Sequence, residues 1–186
     1  MPDTVTIENV SSKLPWKFSV GRRLLRNINY AVVHHDAVLA PDVYDPVLRY
    51  AHEADYHISK GWGHLAYHLR ISRDGKIYQT LPFEEIGYHA GNWIFNRTGI
   101  GICLDGDLTR QPVTDAQSTA LKGLMRHLAY ERPDMPILLQ KSFWAHKEVR
   151  GVGWPGTIAF IPNPTACPSP TIAQIVKAYR LSAPAG

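Results

Sequence analysis

NYAVVHHDA (29–37) is the stretch on which the fold turns. Tyr30, Val32 and Val33 are the aromatic and β-branched residues that suit a buried strand. Outward from it, a loop with Pro41 and Asp42 leads to DPVLRYAHEADYHISKG (45–61). Asp45 suits an N-cap, Pro46 the first helical position and Gly61 the stop. Val47, Ala51, Ala54 and Ile58 recur at helical spacing, which predicts an amphipathic helix. GHLAYHLRISRDGKIYQT (63–80) has apolar runs on either side of Asp74-Gly75 and predicts a hairpin. TGIGICLDG (98–106) predicts a short buried strand.

TDAQSTALKGLMRHLAYERP (114–133) predicts the clearest helix. Thr114 with Gln117 three residues on forms a capping-box pattern, and Leu121, Leu124, Met125 and Leu128 make one face. SFWAHK (142–147) reads as a strand end, residues 151–170 as a Gly/Pro-rich loop, and TIAQIVKAYRL (171–181) as a final helix. Strand, helix, hairpin, strand, helix, strand, helix is an α/β plan, with helices packed on one sheet. At 186 residues, a single domain is expected. Residues 1–27 read as an N-terminal extension, and residues 28–182 as the domain.

Composition narrows the function classes. Hydrophobic residues make up 45% and charged residues 19%, an ordinary globular balance. No apolar run reaches the length of about 18 residues that a membrane span needs. MPDTVTIENVSSKLPWKFSV at the start lacks a basic start followed by an apolar stretch. The expectation is a protein made in the cytoplasm without a signal peptide. The net charge of +4 would suit an anionic wall, nucleic acid or a membrane surface. Arg22-Arg23 is the only adjacent basic pair, so no nucleic-acid partner is expected. Two cysteines, Cys103 and Cys167, exclude a four-cysteine metal module.

Nine histidines offer metal ligands, but their local spacing is poor. His52 and His57 would lie about 140° apart around a helix. His64 and His68 sit in a strand-like, glycine-bounded stretch, and there is no H-E-x-x-H. The spacing alone assigns no site.

Six ordered pieces add to this reading: VVHHDA (32–37), AYHLRISRDGKIYQ (66–79), GYHAGNW (87–93), GIGICLDGD (99–107), WAHKEV (144–149) and PTACP (164–168). Together they resemble the type 2 N-acetylmuramoyl-L-alanine amidases, which include peptidoglycan recognition proteins and phage endolysins. The resemblance spans roughly residues 29–180. It implies a central mixed sheet flanked by helices, with a zinc site in an open groove. The ligands it implies are His34, His146 and Cys167, with His35 and Lys147 as unused neighbours. Two imidazoles and one thiolate leave a fourth tetrahedral position for water, as in a catalytic site.

The same resemblance gives the other site residues. Tyr67 takes the position of an oxyanion donor, and its phenol stays protonated at neutral pH. Packing in a strand is the alternative reading for it. Thr165 stands where some phage amidases have lysine; it can offer a hydrogen bond but no charge. Cys103 stands where some cytoplasmic members have an acid, and is expected to be a small buried strand residue. His89 matches a groove position that contacts substrate, or else caps loop backbone. Trp93 and Asn96 are expected along the same groove. The stretch 149–164, with Trp154 and Phe160, would be a substrate-side flap or a packed connection.

The function implied is zinc-dependent hydrolysis of the amide between N-acetylmuramic acid and L-alanine in bacterial peptidoglycan. An endolysin reaching the wall after holin-type release, acting as a monomer, is the expected role. The rivals are a cytoplasmic muropeptide-recycling amidase, a module that binds peptidoglycan without cutting it, and a zinc hydrolase of another amide or ester.

Overall fold

The computed structural model describes residues 5–155, 157 and 160–182. In chain order the elements are β1 (Ile7–Asn9), β2 (Tyr30–His35), α1 (Pro46–Ser59), β3 (Leu69–Ile71), β4 (Ile77–Gln79) and α2 (Trp93–Thr98). There follow β5 (Gly99–Leu104), α3 (Asp115–Tyr130), β6 (Phe143–Ala145), α4 (His146–Val149), β7 (Gly151–Val152), β8 (Ile161–Pro162) and α5 (Pro170–Ser182). Six strands form one mixed sheet in the order β1-β4-β3-β5-β2-β6. All pairings in it are parallel except the β3–β4 hairpin. The α/β single-domain plan with a central mixed sheet therefore holds.

Period-2 alternation along β2 assigns its residues to two faces. Ala31 and Val33 join a core with Leu121, Leu124, Met125 and Leu128 of α3 and Ile172 and Val176 of α5. Val32 faces the other way, against Phe95 of α2 and Val149 of α4. His34 shares the side of Val32, and His35 that of Val33. Each fully buried aliphatic side chain contributes about 1.5–3 kcal/mol, so this double-sided burial holds β2 firmly in register.

The caps read from sequence are present. The Asp45 carboxylate accepts from the N–H groups of Val47 (2.9 Å) and Leu48 (3.1 Å). Thr114 and Gln117 form the full capping box.

Four differences from the sequence reading have local causes. The first stretch is woven into the fold: β1 pairs with β4, and Val10 is buried in a cluster with Tyr50 and Leu65. Residues 1–4 of that stretch lie outside the described residues. The short helix α2 was missed; Asn92 caps it by accepting from Ile94 N–H at 3.0 Å. His146 opens α4 immediately after β6 instead of ending a strand. Last, the Gly/Pro-rich loop contains the two-stranded β7–β8 ribbon. Trp154 there stacks on Phe95 with ring centroids 5.3 Å apart, so this part of 149–164 is a packed connection. Positions 156, 158 and 159 lie outside the described residues. Among the described residues no helix is long and apolar enough to cross a membrane.

Candidate metal centre and groove

Strand register brings the first two imidazoles together. β6 runs parallel to β2 with Val33 opposite Ala145. The next residue of each chain segment is a histidine, and the rings of His34 and His146 lie 4.4 Å apart between centroids. The site thus forms beyond the carboxyl ends of parallel strands, a usual place for ligands in α/β sheets. Cys167, just before α5, supplies the third group: its Sγ lies 3.8 Å from His34 Nδ1. One donor atom from each of His34, His146 and Cys167 falls within 4.8 Å of the others.

The unused hydrogen-bonding capacity fits a metal. His146 Nε2 donates to the carbonyl of Ala90 at 3.1 Å, while its Nδ1 is buried without a partner. A buried, unpaired imidazole nitrogen is costly unless something else satisfies it. His34 Nε2 meets His89 Nδ1 at 3.2 Å, and this also leaves Nδ1 for a ligand bond. Burial keeps both ligand imidazoles neutral, His34 well below the ordinary range and His146 down to about 4. Burial pushes the Cys167 thiol up to about 12, opposed by the His35 backbone N–H and the charge of Arg150. A divalent cation would be needed to hold it as thiolate. Soft sulfur with two imidazoles suits zinc.

His35 is spent elsewhere: its Nδ1 accepts from Leu108 N–H at 3.0 Å, and its backbone N–H points to Cys167 Sγ at 3.4 Å. Cys103 is fully buried in β5, opposite His34 in the register.

An open groove of about 810 Å³ runs past the centre, and His146, His89, Tyr67, Glu53, Trp62 and Arg150 are among its lining residues. Tyr67 lies with its ring 5.2 Å from that of His34 and under the Arg70 guanidinium at 5.6 Å. Burial, with smaller contributions from Cys103 and Glu53, pushes its phenol well above the ordinary value, so it remains a donor at neutral pH.

The remaining sequence-assigned residues fall differently. His89 borders the groove, but both its nitrogens are engaged inward, with His34 and with the Gly99 carbonyl at 3.4 Å. Its ring packs on Gly101, where a Cβ would fall 2.8 Å from Cγ; glycine there allows the approach. Asn96 is buried, its Oδ1 accepts from Ala90 N–H at 2.8 Å, and it is not among the residues that line the groove. Trp93 also stands outside the lining; it is half exposed and packs on Tyr88 with centroids 6.3 Å apart. Thr165 Oγ1 accepts from Cys167 N–H at 3.1 Å, which shapes the turn that presents the thiol.

Beneath the groove lies a charge network that sequence reading missed. Arg70 is fully buried and bonds Asp36 at 2.6 Å, Asp105 at 2.6 Å, and Glu53. Tyr50 and Tyr44 hydroxyls donate to the other oxygen of Asp105 at 2.9 and 2.5 Å. Arg49 bonds Asp36 at 2.8 Å. Three carboxylates thus share two guanidinium groups. Glu53 and Asp36 both line the groove, and Glu53 is the more exposed, with 17% of its side chain accessible against 2% for Asp36 and 0% for Asp105. Burial raises its carboxyl to about 7, against the pull of Arg70 and with Asp36 and Asp105 adding to the rise. The one available clue is an arginine within an apolar run of the predicted hairpin.

Comparison with known proteins agrees with this geometry. The family model described as N-acetylmuramoyl-L-alanine amidase matches residues 24–170. Peptidoglycan-recognition protein SC2 of Drosophila melanogaster is 31% identical over 153 residues, covering 80% of each chain. The endolysin of Enterobacteria phage K11 is 28% identical over 131 residues, covering 68% of this chain and 73% of its own. Among solved structures, the N-acetylmuramoyl-L-alanine amidase LysC from Clostridium intestinale superposes with a TM-score of 0.64 at 25% identity, covering 94% of this chain and 97% of its own. With a family model matched across most of its length, and its sheet shared with a solved amidase, the chain belongs to the N-acetylmuramoyl-L-alanine amidase family.

Proposed function

We propose that the chain is a zinc-dependent amidase that cleaves the amide between N-acetylmuramic acid and L-alanine in bacterial peptidoglycan. One observation carries this reading: His34, His146 and Cys167 converge, with His146 lining the groove and its buried Nδ1 unpartnered among the described residues. Zinc held there supplies Lewis-acid chemistry, polarising an amide carbonyl and acidifying a water toward a pKa of about 7.

The chain's own residues do the rest. The groove aligns an extended substrate past the centre. Tyr67 offers a phenolic O–H toward charge developing on the carbonyl oxygen, and burial keeps that proton in place. Glu53, with a carboxyl near neutrality on the groove wall, is suited to hold a proton destined for the leaving amine. His89 fixes the His34 tautomer from behind.

The complete ligand set favours cutting over binding alone. Likeness to a phage endolysin supports action on the cell wall, and the proposal adds that the chain acts as a monomer reaching the wall after holin-type release. The test is to digest purified sacculi with zinc-loaded protein. New N-terminal alanine is expected; intact walls with bound protein and no new amine would instead support a binding module. Comparing rates on sacculi and on soluble muropeptides separates an endolysin from a recycling enzyme.

A further inference from the structure

We propose that Arg150 is an anion-binding residue of the groove, selecting substrates that carry a free carboxylate on the peptide close to the cleaved amide. This rests on the amidase reading above. Two arginines are among the residues that line the groove, Arg49 and Arg150. Arg49 is committed to Asp36 at 2.8 Å and to the Val38 carbonyl at 2.8 Å. The Arg150 guanidinium has no carboxylate partner among the described residues; it donates from Nη1 to the Pro164 carbonyl at 3.4 Å. A guanidinium has five N–H donors in a fixed fork, so most of this one is left for a ligand.

Its root is held in place. The Arg150 N–H donates to the His146 carbonyl at 2.9 Å, and its own carbonyl accepts from Asn163 N–H at 3.0 Å. The stem of the side chain lies across Gly91, itself a lining residue, where a Cβ would come within 3.1 Å of Arg150 Cγ. Glycine at 91, with φ of 58°, leaves that path open. Arg150 is one helical turn beyond His146, which roots its side chain close to the candidate centre, and the anion the proposal assigns to it is one near the cleaved amide. The stem peptide supplies that chemistry: the residue after L-alanine carries an α-carboxylate, which some walls convert to a carboxamide. A carboxylate can take the fork in bidentate fashion, and a carboxamide cannot.

The experiment uses two muropeptides that differ only in that group, carboxylate or carboxamide. Zinc-loaded wild type should cleave the carboxylate form with about tenfold higher kcat/KM. Arg150→Gln, compared at equal zinc occupancy, should bring the ratio near one, the loss falling on the carboxylate form. Arg150→Lys, which keeps charge but not the fork, should give an intermediate ratio. An unchanged ratio in Arg150→Gln, or an equal loss on both substrates together with zinc loss, overturns the proposal. If wild type cleaves neither, calorimetric binding of the same pair separates the two ideas. A carboxylate preference that vanishes in Arg150→Gln sustains the anion site without the amidase; no preference in wild type overturns it.

Discussion

His34 and His89 meet edge to face, with Nε2 of the first 3.2 Å from Nδ1 of the second. When His34 binds metal through Nδ1, its Nε2–H donates to His89, and His89 Nε2–H donates in turn to the Gly99 carbonyl. The chain of donors sets the tautomer of a ligand from inside the fold. Replacing His89 with Ala is therefore expected to weaken zinc affinity by about 10–100-fold. Competition against a chelator of known affinity measures this. Zinc affinity equal to wild type would mean that His89 does not position His34 for the metal.

Cys167→Ser should remove most bound zinc and abolish release of N-terminal alanine, because a serine hydroxyl is a far poorer zinc ligand than a thiolate. The fold should survive, since Thr165 and the His35 backbone still frame the turn. Metal analysis beside a circular dichroism spectrum checks both halves. Full activity in the zinc-free variant would rule out the metal reading.

Tyr67→Phe keeps the ring under Arg70 and beside His34 and deletes only the hydroxyl. A loss of about 10²–10³ in kcat is expected if that hydroxyl meets the developing oxyanion, with zinc content and melting temperature unchanged. A loss under twofold would make Tyr67 a packing residue.

Arg70→Met should cost about 3–5 kcal/mol of stability, because it strands Asp36, Asp105 and Glu53 without their shared cation. Urea midpoints give the value. A cost below about 1 kcal/mol would mean that the carboxylates find other partners or take up protons, which lies far from the range for breaking a buried pair.

Glu53 and His57 face each other at 4.0 Å and respond to acid with opposite signs. Burial raises Glu53 from 4.5 to about 7, so its stabilisation is complete below pH 4.5 and is lost as pH rises through 7. Burial, helped by Arg70 and His64, lowers His57 from 6.5 to about 4, so its stabilisation is complete above pH 6.5 and is lost as pH falls toward 4. Glu53→Gln deletes the first effect alone. Between pH 7 and pH 5 that variant should lose more stability than wild type does. Parallel pH profiles in urea unfolding would contradict the assignment.

Much of this protein is local and therefore readable along the chain. Helix α1 is delimited by Asp45, Pro46 and Gly61, and α3 by its Thr114–Gln117 box, because capping satisfies backbone N–H groups from side chains only two or three residues away. Alternation in Val32-Val33-His34-His35 likewise predetermines that the two histidines part to opposite faces. The short helix α2 and the ribbon β7–β8 escaped because neither holds enough residues for a period to show. The candidate metal ligands come into view through the resemblance of ordered motifs, since no local spacing unites positions 34, 146 and 167.

What no linear reading could supply was pairing at a distance. Val33 lies opposite Ala145, so the histidines that follow them become neighbours, and this depends on which strands the sheet sets side by side. The inward turn of His89 and Asn96, the Arg70 network and the placement of Arg150, without a carboxylate partner among the described residues, are of the same kind. Each is fixed by burial and by partners many residues away, and those energies exist only once the chain has closed on itself.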